Sequence, residues 1–83
     1  MERKLTKMEL KAVRLVLALT LKEMAELLGV SISHLSRTEK DGTKDYSYNV
    51  SKKLDSKVKE VMERMEIDLE ETLEIARKRG LLK

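Results

Sequence analysis

An all-α fold of five helices is predicted by three features of this chain. It has no proline, only three glycines and abundant Leu, Glu and Lys. Its apolar residues recur at steps of three and four. No alternating apolar and polar run of four or more suggests a strand.

The first helix opens at Thr6, which pairs with Glu9 in a T-x-x-E capping box, and runs to about residue 18. An equivalent box of Thr20 and Glu23 opens the second at Leu21. Met24 and Leu28 line one face of it, Ala25 leaves room for a crossing helix, and Gly29 supplies the left-handed residue that stops it. Val30 can bury at the corner. Ser31 caps the third helix, in which Leu35 and Thr38 point inward and Ile32, Ser33, His34, Ser36 and Arg37 face outward. Residues 40–49 form the one long loop, turning at Gly42. Val50, Leu54, Val58, Val61 and Met65 then make one apolar stripe along a fourth helix, from about residue 50 to 66. Asp68 caps the fifth, striped by Leu69, Leu73 and Ala76 and stopped by Gly80.

Helix one carries apolar residues on two sides: Leu10, Val13 and Leu17 beside Arg14, and Met8, Ala12 and Leu15 opposite. A helix apolar on both sides is covered twice. The second cover is either helices four and five or another subunit.

Eighty-three residues are expected to make a single domain, 1–83. A chain of this length buries only about 60–65 % of its unfolded surface, so all the helices share one small core. Cysteine is absent, which excludes disulfides, thiol nucleophiles and Cys-based zinc sites. One histidine leaves no His–His metal pair and no catalytic triad, so neither an enzyme nor a cofactor is expected. The longest apolar run, residues 15–19, is far short of the ~20 residues that span a bilayer, and no leader segment opens the chain. A soluble cytoplasmic protein is expected.

The net charge is +3, from 18 basic and 15 acidic side chains, and its distribution is more informative than its sum. Residues 44–59 hold five lysines (Lys44, Lys52, Lys53, Lys57, Lys59) against Asp45 and Asp55, whereas residues 60–74 hold seven acids against Arg64. The first segment can approach phosphates; the second cannot. Tyr46 and Tyr48 are the only aromatic residues, too few for a platform that stacks single strands. They read as loop packing.

Two short helices joined by a Gly-centred turn, over about residues 20–40, have the layout of a helix-turn-helix, with helices over about 50–79 completing the core. The residues Arg14, Thr20, Met24-Ala25, Gly29-Val30-Ser31 and Glu39 match a pattern of late helix-one arginine, Thr or Ser cap, L-A pair, G-V-S turn and terminal acid. In these the chain resembles the lambdoid-phage repressor and Cro family of helix-turn-helix domains, also called XRE-like, over about residues 5–75. The resemblance implies a five-helix lambda-repressor-like domain and a partly buried ion pair between Arg14 and Glu39. It also implies a small repressor of phage or other mobile-element origin. Three positions depart from the pattern. Leu21 stands where a polar phosphate contact is usual, Thr38 replaces an apolar residue, and Gly42 comes one residue late.

In that arrangement the third helix enters the major groove of double-stranded DNA. Arg37 can fork onto guanine O6 and N7, Ser33 can bond a base edge, and Ile32 can pack on a thymine methyl. Lys22, His34, Ser36, Lys40, Lys44, Lys52 and Lys53 are candidates for phosphate contacts that set register, and amides at the starts of helices two and four can join them. A homodimer is expected, because two-fold pairing doubles the contacts on palindromic half-sites. For each residue a bland role competes: Arg37 paired with a surface acid, Ile32 partly buried, His34 and the single lysines merely solvated.

A second reading is an antirepressor or antitoxin-like module that keeps the fold and holds a protein partner. Leu21, Ile32 and the second stripe on helix one favour it, because they place apolar surface where DNA readers place polar groups. The acidic segment 60–74 could also face a basic partner. A purely structural bundle leaves the Gly29 turn and the Ser31 cap as coincidences.

Overall fold

Thr6 ends an extended segment and begins a helix. In the computed structural model, which describes residues 4–44 and 49–82 (41–44 as backbone alone), its Oγ1 accepts from the Glu9 amide at 3.0 Å. Glu9 Oε1 accepts in return from the Thr6 amide at 2.9 Å. Helix α1, Lys7–Val16, follows. The same reciprocal bonds join Thr20 and Glu23 at the head of α2, Leu21–Leu28. Three residues on, Ser31 Oγ accepts from the His34 amide at 3.0 Å and opens α3, Ile32–Lys44. Ser51 and Asp68 cap α4, Lys52–Arg64, and α5, Leu69–Lys78. The chain is all-α, and among the described residues the only β pairing is an isolated antiparallel bridge between Thr6 and Asn49.

Four of these helices stop in one way. A residue with positive φ follows the last turn (Ala18 at 58°, Gly29 at 68°, Glu66 at 57°, Gly80 at 77°). The next amide then reaches back five residues: Leu19 N to Arg14 O at 3.1 Å, Val30 N to Ala25 O at 3.0 Å, Ile67 N to Met62 O at 2.9 Å and Leu81 N to Ala76 O at 2.9 Å. This is the Schellman closure, which satisfies carbonyls that a helix end otherwise leaves orphaned. It explains why α1 ends at Val16 rather than at the expected Ala18. That alanine is the turning residue.

Three other boundaries differ from expectation. Helix α3 continues to Lys44 through Gly42, where a loop was expected. A glycine inside a helix costs only about 1 kcal/mol against alanine, too little to break one unaided. Helix α4 starts at Lys52 rather than near residue 50, because Ser51 is its cap and Val50 stays outside, its amide bonded to Leu5 O at 2.9 Å. The apolar stripe of α4 ends on Met62, not Met65. The helix has closed by then, and Met65 lies 42 % exposed at the corner. Tyr46 and Tyr48, expected to pack on the loop, lie outside the described residues.

One hydrophobic core draws on all five helices, with Leu10, Val13, Leu35, Val58 and Leu73 its most enclosed large side chains. Helix α1 packs on α3 and α5, and α2 packs on α3 and α4. Two neighbours thus cover α1 within one chain. Of its second stripe Ala12 is buried and Met8 half-buried, while Leu15 remains exposed. Leu5 closes the core from the N-terminal side: its amide donates to buried Asp55 Oδ1 at 2.8 Å, and Lys59 Nζ lies 3.0 Å from Asp55 Oδ2. Among the described residues no helix is long and apolar enough to cross a membrane.

Candidate nucleic-acid interface

The two-sidedness of α3 sets the geometry of the site. Leu35 is fully enclosed, and Thr38 and Glu39 are buried beside it. The Thr38 hydroxyl, an oddity at an inward position, donates to His34 O at 3.0 Å and so enters the core without an unmet polar group. Glu39 is held by Arg14, whose Nε donates to Oε2 at 2.8 Å and Nη2 to Oε1 at 3.0 Å. The remaining nitrogen, Nη1, donates to Leu19 O at 2.9 Å. One guanidinium therefore ties α3 to α1 and to the link between α1 and α2. This neutralises the acid and fixes how α3 stands out from the body.

With those residues turned inward, Ile32, Ser33, His34, Arg37 and Lys40 are exposed and Ser36 is half-buried. Ile32 retains 47 % of its surface, a large apolar residue left in water at the leading end of the helix. Ile32, Ser33, Ser36, Arg37 and Lys40 line one shallow depression. Ser36 and Lys40 also line a neighbouring cleft with Lys11, Arg14, Leu21 and Glu39, so the two make one continuous surface. Arg14 cancels Glu39, and Lys11 and Arg37 add positive charge to the surface, beside Lys40.

Lys11 is absent from the residues that sequence reasoning selects. Its signal is weak but present: it lies three residues before Arg14, which puts both on one face of α1. His34 stands apart from this surface and shares a different cleft with Lys53, against α4. Lys22 and Lys52 are exposed but line none of these depressions. The Lys44 side chain lies outside the described residues.

At the head of α2, the Glu23 carboxyl is held below the usual carboxylate range by the backbone amide of Thr20 and then by its hydroxyl. The capping bond is thus made by the charged form. Leu21, half-buried, offers no polar side chain here, and the cationic groups of the cleft besides the Glu39-bound Arg14 are Lys11 and Lys40.

Comparison of the chain with protein-family models, with curated proteins and with solved structures returns no match.

Proposed function

We propose that this chain is a sequence-specific double-stranded DNA-binding regulator of the repressor and Cro type, acting as a cytoplasmic homodimer. The observation that carries the reading is the sidedness of α3. Its anchors Leu35, Thr38 and Glu39 are buried while Ile32, Ser33 and Arg37 share one exposed edge behind the Gly29 turn. A helix held this way can lie in the major groove with Arg37 on guanine and Ile32 on a thymine methyl. Lys11, Lys40 and Ser36 lie alongside to meet the sugar–phosphate backbone. Selection from random duplexes tests this: a short palindromic consensus is expected, and uniform recovery of all sequences refutes it.

A second reading, a protein-binding module on the same scaffold, is favoured by the exposed apolar side chains Leu15, Leu27, Ile32 and Met65. Ionic strength separates the two. Binding through several phosphates weakens steeply between low and moderate salt, whereas an apolar interface hardly responds.

A further inference from the structure

We infer that the cleft between the α2–α3 turn and α4 is a binding site for a small organic anion, an apolar body carrying one carboxylate or phosphate-type group. The cleft is open on one side and has a volume of about 580 Å³, within the range of small-molecule sites. Leu28 and Leu54, both buried, form its floor with half-buried Val30. His34, Lys53 and Lys57 stand on its wall. An apolar floor beneath a few converging polar groups is the composition that holds such ligands.

The charge on the wall selects the sign of the ligand. Lys53 has no acidic partner among the described residues. Among the described residues Lys57 has only Glu60, at 3.9 Å, and Arg64 lies nearer to that carboxylate, at 2.7 Å. Glu60 is the one acid lining the cleft among the described residues, so two ammonium groups face a single shared carboxylate. An anion supplies the missing partner through charge-assisted bonds, and its apolar part displaces water from Leu28, Val30 and Leu54. His34 and Lys53 are also candidate DNA contacts, so an occupied cleft opposes duplex binding. Only this last consequence rests on the function proposed above.

Octanoate is a suitable probe: it combines both parts, whereas octanol lacks the charge and inorganic phosphate lacks the body. In a ¹H–¹⁵N titration of the free protein, octanoate is expected to shift the amides of Val30, His34 and Leu54 saturably. The double variant Lys53→Gln/Lys57→Gln should bind it about tenfold more weakly, the loss of roughly one charge-assisted contact. Octanol should bind weakly, and equally to both proteins, which shows that the variant keeps its cleft. Equal octanoate affinity in the variant, octanol or phosphate binding as tightly as octanoate, shifts centred elsewhere, or no saturation would each overturn the assignment. Because no duplex is present, failure of the DNA-binding reading leaves this result standing. The converse also holds.

Discussion

Arg14 and Glu39 meet in a bidentate pair across 25 residues, with side chains only 13 % and 7 % exposed. Lysine cannot reproduce it, because a single ammonium offers neither the fork for Glu39 nor the third nitrogen for Leu19 O. Arg14→Ala strands a buried carboxylate and should cost about 3–5 kcal/mol in denaturant unfolding. Replacing both partners with methionine should cost much less, since no charge is left unpaired. If the double variant is no more stable than Arg14→Ala, the loss is one of packing and not of charge.

Asp55 does for the N-terminal segment what Arg14 does for α3. Asp55→Ala leaves the Leu5 amide buried without an acceptor, a penalty of about 1–3 kcal/mol. Hydrogen exchange at Leu5 should accelerate in this variant, together with that of the Val50 amide bonded to Leu5 O. Slow exchange at both sites would mean that the stitch does not depend on the carboxylate.

Two of the four left-handed corners are occupied by residues that resist the conformation. Ala18→Gly and Glu66→Gly should each stabilise by about 0.5–1 kcal/mol, since a side chain at positive φ costs more than the extra freedom of glycine in the unfolded chain. In thermal unfolding that gain should raise Tm by a few degrees, at about 4–8 °C per kcal/mol for a domain this size. Gly29→Ala should go the other way by about 1–2 kcal/mol. Nothing lies within 4 Å of the added Cβ, so its cost is backbone strain alone.

Acid should loosen α2 through Glu23. The folded carboxyl titrates below its unfolded value, so its contribution is complete above the unfolded pKa and disappears as pH falls through the folded one. As pH falls below the ordinary glutamate value of about 4.3 and then through the lower folded one, the wild type should therefore lose its advantage over Glu23→Gln. Parallel stability curves for the two proteins would remove the carboxylate from the account.

On duplex DNA, Arg37→Ala should relax preference at one position in each half-site, at a cost of about 1–3 kcal/mol. Lys11→Gln should weaken binding alike on every sequence and reduce the slope of log K against log salt by about one. An unchanged slope would take Lys11 out of the phosphate contacts.

The start of the fourth helix is not legible in the sequence, because the apolar Val50 beside Ser51 extends the stripe past its cap. The other four starts, at Thr6, Thr20, Ser31 and Asp68, are legible because each is a local exchange between a hydroxyl or carboxylate and an amide three residues on. The Gly29 and Gly80 stops were legible for the same reason. Ala18 and Glu66 were not, because neither residue type advertises positive φ and only the tertiary course of the chain imposes it. The length of α3 is hidden in the sequence because Asp41 and Gly42 resemble a turn in isolation. The Arg14–Glu39 pair is legible only through the family resemblance, since nothing local joins residues so far apart. Lys11 and the cleft against α4 needed three dimensions, because each gathers groups from elements that are distant in the chain.

Among the described residues, Leu5 finds its backbone hydrogen-bond partners at Val50 and Asp55. Synthesis runs from the N- to the C-terminus, so this leucine emerges well before either partner. The pairing of Arg14 with Glu39 becomes available sooner, on a shorter nascent chain. During synthesis the Arg14–Glu39 pair can close while Leu5 still waits for Val50 and Asp55, and α5 reaches α1 only after that.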